Sequence, residues 1–458
     1  MEQISVSDIL KICNGKLICG NDKLICENFS KDTRTIKEGD VYVGIKGEKF
    51  DGNCLYKEAF QKGARICILQ GEDIEKVKGK TIILVEDTIK AIQKIASYKR
   101  NLYSIPVIAV TGSVGKTSTK DIIASVMSKK YKVLKTEGNM NNHIGLPFTL
   151  LKLRDHNAIV VEMGMNHFGE IRTLTNIVKP TTCVITNIGT SHIGNLGSRE
   201  NILKAKLEII EGMKKEGIIV LNNDNDLLHT WIEKNINKYK IATYGIENES
   251  DITAQDIQME EESSKYISKI QNKKYKIEVP VPGKHFVYNS LAAIMVGLIN
   301  NIDINKIQEG IKEFSLSKNR MQIEKNKKGV TIINDTYNAS FDSMKASIQC
   351  LSNRNEKRKI AVLGDMFELG EYSVELHKQV GIEIKKENID ILITVGILAE
   401  NIAIEAIKSG MSKDNVYILK NNEEAIELIK KIEQEDDVIL IKASNGMKFN
   451  KIVEKLIN

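Results

Sequence analysis

Thr111-Gly112-Ser113-Val114-Gly115-Lys116-Thr117-Ser118-Thr119-Lys120, TGSVGKTSTK, is the stretch on which the reading of this chain turns. The apolar run Val107-Ile108-Ala109-Val110 before it predicts a buried strand. Residues 121–127 after it, DIIASVM, place apolar side chains on one helix face. Strand, Gly-rich turn, Lys-Thr and helix together predict a phosphate-binding loop. The glycines let backbone N–H groups turn toward a phosphate, and the helix N-terminus adds partial positive charge. Lys116 would reach terminal phosphates and the Thr117 hydroxyl would ligate Mg²⁺. Val110 stands where the longer G-x-x-x-x-G-K-[ST] form needs glycine, so the loop is the shorter G-x-x-G-K-T. A second Gly-Lys-Thr, residues 79–81, lacks a strand before it and a helix after it. It is read as an ordinary loop.

At 458 residues the chain predicts two to four domains. It is 42% hydrophobic and 28% charged, with 66 basic and 60 acidic residues interspersed and a net charge of +6. That balance argues against nucleic-acid binding, which needs basic residues gathered on one face. The Lys-rich stretches 129–135, 273–276 and 325–328 read as solvated faces or turns. Seven scattered cysteines, with no C-x-x-C, read as reduced thiols of a cytoplasmic protein. No apolar run approaches the roughly 18–20 residues needed to span a bilayer, and the N-terminus lacks a signal-peptide core.

Outward from the loop, strands and helices alternate. Strands are expected at 158–161, 182–186 and 217–221, and a helix at 199–214. This alternation predicts a largely parallel sheet in an α/β domain. Residues 252–282 alternate polar and apolar and read as antiparallel strands, followed by a helix near 287–300. A second α/β unit follows, with strands at 330–334, 359–363, 391–395, 415–419 and 437–442. Upstream, residues 1–103 mix short strands and helices up to a boundary at Ser104-Ile105-Pro106. The expected domains are therefore 1–103, 104–316 and 317–458.

In an open parallel sheet, ligands collect at the carboxyl ends of strands. Glu162 ends one strand and is a candidate Mg²⁺ ligand. His192 follows the next, at Thr186-Asn187-Ile188-Gly189-Thr190-Ser191-His192. Lys206 shares its helix with Ile202 and Ile209. By spacing alone it is an ordinary snorkelling lysine, although a desolvated amine would react with carbon dioxide to give an anionic carbamate. Asn141 and Asn142 read equally as turn residues or as substrate contacts. Asn166 and His167 follow Glu162 on its loop. His285 and Asn289 share a face if their helix starts early enough. Arg320 precedes Asp335-Thr336-Tyr337-Asn338 in the third segment.

The stretches TGSVGKTST, GNMNNHIGLP, EMGMNHFGEI, SHIGNLGSRENILKAKLEI, GKHFVYNSLAA, NDTYNASFDSM and LGDMFELG together resemble the Mur ligase family. The N-terminal stretch DTRTIKEGDVYVGIKGEKFDGNCLYKEAFQKGA resembles that family's UDP-binding domain. The resemblance implies an α/β fold of three domains. A central P-loop-type parallel sheet domain would be flanked by an N-terminal α/β UDP-binding domain and a C-terminal Rossmann-like domain. It also implies ATP-dependent amide-bond formation. In order and spacing, the motifs are most similar to the member that joins D-alanyl-D-alanine to UDP-N-acetylmuramoyl-tripeptide.

The resemblance further implies ATP contacts at Gly112, Ser113, Val114, Gly115, Lys116, Thr117 and Ser118. It implies nucleotide contacts at His285, Asn289, Arg320, Asp335 and Asn338. Thr117, Glu162, His192 and a carbamylated Lys206 are implied as Mg²⁺ ligands, with Lys116, Lys206 and His192 in catalysis. Asn141, Asn142, Asn166 and His167 are the expected substrate contacts, and a monomer is expected. Two positions depart from the family pattern: Asn53 stands where DGH is frequent, and Ala443 where glycine is frequent. A family member adding a single amino acid is the alternative reading, and a P-loop NTPase without ligase activity the more distant one. No Asn-Pro dipeptide marks the single-amino-acid pattern, and no Asn-Lys-x-Asp segment marks a GTPase.

Overall fold

The computed structural model describes residues 3–271 and 273–457. It is an α/β protein with three principal sheets. Five strands near the N-terminus order as Lys16–Cys19, Thr81–Leu84, Ile66–Leu69, Val41–Val43 and Phe29–Ser30. A central mixed sheet of nine strands orders as 273–279, 264–270, 252–259, 240–245, 218–222, 182–185, 107–111, 158–162 and 133–135. A six-stranded mixed sheet orders as 322–325, 331–334, 437–442, 358–364, 391–395 and 416–419. The strands at 107–111, 158–162, 391–395 and 437–442 are buried along their whole length. Their near-continuous apolar runs are what a parallel sheet covered on both faces requires.

By compactness the chain falls into two units, one of them Met1–Ala109, Lys130–Cys183 and Glu208–Gly217. In this first unit the helix Thr88–Asn101 is capped by Asp87, whose carboxylate accepts from the N–H of Ile89 and Lys90 at 2.8 and 3.0 Å. The second Gly-Lys-Thr lies in a turn at Gly79 (φ 76°) that leads into the strand Thr81–Leu84. Lys80 Nζ donates to Ala64 O at 2.8 Å, so this copy is structural, as its context predicted. Asn53 is also structural: its amide donates to Asp51 Oδ1 and its Oδ1 accepts from Gln70 N at 3.0 Å.

The second unit comprises Val110–Lys129, Val184–Leu207 and Ile218–Asn458. The strands Ile252–Met259, Ser264–Ile270 and Lys273–Val279 are antiparallel, as their alternation predicted. Their register shifts between Gln255 and Gln258, where Asp256 adopts φ 52°, the mark of a bulge. The helix Lys284–Ile299 is buried on nearly every side. It starts three residues earlier than the sequence suggested, and this places His285 and Asn289 on successive turns of one face. Two glycines seat the helix Lys116–Ser128. A Cβ on Gly310 would lie 2.7 Å from Val126 Cα, and one on Gly297 would lie 3.0 Å from the Val126 side chain.

The expected helix 199–214 is shorter than predicted. The α-helix ends at Leu207 and tightens to a 3₁₀ turn at Glu208–Ile210. The Glu208 carboxylate is committed elsewhere, accepting from Gly169 N at 2.8 Å and Arg172 N at 3.1 Å. The Ala443 departure is absorbed by Gly364: a Cβ on that glycine would sit 2.7 Å from the Ala443 methyl. The seven cysteines are all free thiols. Among the described residues no helix is long and apolar enough to cross a membrane.

Candidate active site

The phosphate-loop geometry follows from two glycines. Gly112 has φ 152° and Gly115 φ 80°, and Gly115 is the N-cap of the helix Lys116–Ser128. A glycine cap leaves the helix N-terminus without a side-chain cap, so its first-turn N–H groups suit an anion. Lys116 Nζ donates to Gly112 O and Ser113 O at 2.8 and 3.0 Å, which draws the ammonium over the loop. Thr117 and Ser118 are buried beneath it.

The neighbouring strand end braces this loop from the side. Ser113 N donates to Asn187 O at 3.0 Å, Val114 N to Asn187 Oδ1 at 3.0 Å, and Thr186 Oγ1 to Val114 O at 2.7 Å. Ser113 Oγ accepts from Gly189 N at 2.9 Å. Sequence reading missed Asn187 as a brace. Its position two residues after a strand end was the available signal.

The same segment carries His192 and Lys206. His192 adopts φ 64° at the start of the short helix Ile193–Leu196, and its side chain is 17% exposed. Burial lowers its pKa; the Glu368 carboxylate pulls the other way, and Lys116 and Lys206 add to the lowering. Lys206 is 1% exposed, so it does not snorkel. Burial, with Lys116 reinforcing it, holds its pKa well below that of an ordinary lysine. A lowered pKa favours the free amine, the form that reacts with carbon dioxide.

Asn289 lies across the loop from the other side. Its Oδ1 accepts from Thr119 Oγ1 at 3.0 Å, and a Cβ on Gly115 would lie 3.0 Å from that oxygen. Its Nδ2 is buried without a hydrogen-bond partner. One turn earlier, the His285 ring lies tilted beside that of Phe286, centroids 4.3 Å apart, and burial lowers its pKa to about 4. Asp335, 13% exposed, pairs with the buried Lys442 and accepts from Ser347 Oγ at 2.7 Å. Burial opposes its ionisation, yet Lys442 keeps its pKa below the usual carboxylate value. Arg320 lies over the Tyr337 ring at 4.0 Å. Asn338 enters through its backbone: its carbonyl accepts from Lys442 Nζ at 3.1 Å, and its side chain is exposed. Lys442 was not foreseen from the sequence, because its partners lie more than 100 residues earlier.

In the first unit, Glu162 is 2% exposed at the end of its strand and accepts from Asn141 Nδ2 at 2.7 Å. Asn142 is occupied differently. Its Oδ1 accepts from Ile144 N and Gly145 N at 3.2 and 2.8 Å, which makes its carbonyl a turn cap for the helix Gly145–Leu151. Asn166 and His167 are exposed, and both backbone N–H groups donate to Glu170.

Against this geometry, the model of the Mur ligase middle domain matches residues 110–297, and that of the Mur ligase, glutamate ligase domain matches residues 319–445. The chain belongs to the Mur ligase family. This Mur ligase is 37% identical over 457 residues to the UDP-N-acetylmuramoyl-tripeptide–D-alanyl-D-alanine ligase of Bacillus subtilis (strain 168), covering 99% of this chain and 98% of that one. A crystal structure of MurF from Acinetobacter baumannii matches with a TM-score of 0.90 at 27% identity, covering 100% and 99% of the two chains. MurF ligase from Thermotoga maritima, solved in complex with ADP, matches with a TM-score of 0.81 at 28% identity over 94% of this chain and 97% of that one. Among the described residues of the Mur ligase, no group of three or more His, Cys, Asp or Glu side chains is arranged to hold a metal ion.

Proposed function

We propose that this chain is an ATP-dependent ligase that joins D-alanyl-D-alanine to UDP-N-acetylmuramoyl-tripeptide, giving the UDP-muramoyl-pentapeptide precursor of peptidoglycan. The observation that carries the reading is the end-to-end likeness to the Bacillus subtilis ligase of that name. We assign three domains, 1–103, 104–316 and 317–458, to the UDP-sugar, to ATP and to nucleotide closure. The protein works as a cytoplasmic monomer and has no nucleic-acid partner.

In the reaction, a tripeptide carboxylate oxygen attacks the γ-phosphorus of ATP and ADP leaves. The dipeptide nitrogen then attacks the acyl phosphate carbonyl, loses a proton to solvent, and expels inorganic phosphate. Phosphoryl transfer needs alignment and charge neutralisation more than covalent help. Gly112–Ser118 would cradle the phosphates, and Lys116 would leave its loop carbonyls for the γ-phosphate. His285 and Asn289 would meet the base, Asn289 with its unpartnered amide. Arg320, Asp335 and Asn338 would close on the nucleotide. Asn141, Asn166 and His167 are assigned to substrate. Asn142 joins them only if its carbonyl can leave the turn it now caps.

The side chains suit Mg²⁺: a hydroxyl at Thr117, a carboxylate at Glu162, an imidazole at His192, and a buried amine at Lys206. Such an ion takes few protein ligands and fills the rest of its shell with phosphate oxygens and water. When bound, it would neutralise charge developing on the phosphoryl oxygens. Lys206 Nζ would attack carbon dioxide, lose a proton, and present a carbamate oxygen as an anionic ligand.

The test is phosphate release from ATP with UDP-N-acetylmuramoyl-tripeptide, with and without D-alanyl-D-alanine, and single amino acids alongside. Phosphate and the UDP-pentapeptide appearing together, only with the dipeptide, is the expected result. Product with a single amino acid reassigns the chain within its family, and phosphate release without any amine makes it an NTPase.

A further inference from the structure

The motif LGDMFELG, residues 363–370, is not used by the reaction as described, yet its end lies on the loop that carries His192. Glu368 Oε2 is 2.7 Å from His192 Nδ1, close but off the line of an aligned hydrogen bond. The Glu368 carbonyl accepts from Gly194 N at 3.1 Å, and Tyr372 OH donates to Gly197 O at 2.7 Å. Nearby, Asp342 Oδ2 accepts from Thr190 N and Thr190 Oγ1 at 2.9 and 3.1 Å. The segment 189–197 is thus held along its length by residues from the 340–372 stretch.

Two glycines permit the approach. A Cβ on Gly194 would lie 2.5 Å from Gly370 N, and one on Gly189 would lie 2.2 Å from Asp342 Oδ2. His192 sits between them with φ 64°, in the left-handed region that histidine enters more readily than most side chains. Glu368 itself adopts φ 63°.

We propose that Glu368 is a positioning residue for His192: its carboxylate, delivered on the 363–370 segment, fixes the imidazole so that the other ring nitrogen faces the phosphate-loop side. The inference rests on the reading that His192 acts in the site. A carboxylate behind a working histidine sets ring orientation and tautomer. Here that carboxylate comes from more than 170 residues away in sequence, so His192 takes up its working orientation only when segment 368–372 is seated.

The experiment compares Glu368→Ala, Glu368→Gln and His192→Ala in the full chain. It reads kcat and KM for the dipeptide, and Mn²⁺ affinity by electron paramagnetic resonance in the presence of a non-hydrolysable ATP analogue. Losing such a partner costs about 10–100-fold in metal affinity or activity. Glu368→Ala is expected to lower kcat and weaken Mn²⁺ binding by that range with the dipeptide KM unchanged. Glu368→Gln is expected to recover part of both. In the double variant, Glu368→Ala should add nothing to His192→Ala. Hydrogen exchange at Gly194 N, whose acceptor is the backbone carbonyl, should stay slow in Glu368→Ala. If His192→Ala is crippled while both Glu368 variants keep kcat and Mn²⁺ affinity within about twofold, the proposal is wrong and the reading of His192 stands. Fast exchange at Gly194 in Glu368→Ala would make Glu368 a docking residue and overturn the positioning role. Full turnover in His192→Ala would remove the site reading and the proposal with it.

Discussion

A methyl group on Gly112 would lie 1.9 Å from Thr186 Oγ1, so the first glycine of the phosphate loop is fixed by the hydroxyl of the adjacent strand end. Gly112→Ala is therefore expected to displace the loop and weaken ATP binding by about a hundredfold, roughly 2.7 kcal/mol. Adding Thr186→Ala should recover only part of the loss, because Thr186 Cβ and N remain 3.1 and 3.2 Å from the same point. Titration with a fluorescent ATP analogue measures both variants, and wild-type affinity in Gly112→Ala would refute the argument.

Lys206→Ala should lower turnover by about 10²–10³, the range for losing a preorganised charge in a site of this kind. Lys206→Arg should not restore it, since guanidinium cannot form the carbamate. Partial recovery of Lys206→Ala by a small added carboxylic acid is the distinguishing outcome, followed by phosphate release. Wild-type turnover in Lys206→Ala ends the carbamate reading.

His285 makes stability depend on pH. Its folded pKa of about 4 lies below the 6.5 of the free side chain. Between these values the unfolded chain takes up a proton that the folded chain refuses, so this stability is present above pH 6.5 and lost as pH falls toward 4. The full loss is about 3 kcal/mol. Urea unfolding at pH 7 and pH 4.5 should show a larger fall for wild type than for His285→Gln. Parallel falls would contradict it.

Lys442→Met removes the cation beside the mostly buried Asp335 carboxylate, leaving Ser347 Oγ and Met321 N as its donors. Removing one member of such a pair costs about 3–5 kcal/mol. The double variant with Asp335→Asn should be less damaged than Lys442→Met alone. Denaturant midpoints for the two single variants and the double decide the coupling.

Asn142→Ala should cost about 1 kcal/mol through loss of the cap on the helix Gly145–Leu151, and Asn142→Asp should restore it. Unchanged KM for the UDP-tripeptide in the Asp variant would identify the side chain as structural. A stable Asn142→Ala with raised KM would identify it as a substrate contact.

The parts of the site legible in the sequence are those whose chemistry is local. Gly112, Gly115 and Lys116 lie within five residues, and the strand and helix on either side are written in their apolar pattern. The strand end at Glu162 was legible for the same reason, whereas the bracing role of Asn187 was not, because its partners lie more than 70 residues earlier. Lys206 was ambiguous because its spacing on a helix is the same whether the ammonium reaches water or is sealed from it. Burial by residues from other segments decides that, and no window along the chain contains it. Asp342, Glu368 and Lys442 were illegible as partners because their contacts span more than 100 residues. The partners of the Glu208 carboxylate, Gly169 N and Arg172 N, likewise lie more than 30 residues earlier.

The close seating of Val126 against Gly297 and Gly310 has a consequence for biogenesis. The helix that follows the phosphate loop is complete by residue 128, but the two elements that cover it are encoded about 180 residues later. At about 5–20 residues per second of translation, the apolar side of Ile122, Ile123 and Val126 waits roughly 10–40 s on the ribosome without its native cover. Slow codons placed between positions 128 and 310 would lengthen that wait and lower soluble yield, whereas the same codons placed near the C-terminus, after both covering helices have left the ribosome, would leave it unchanged.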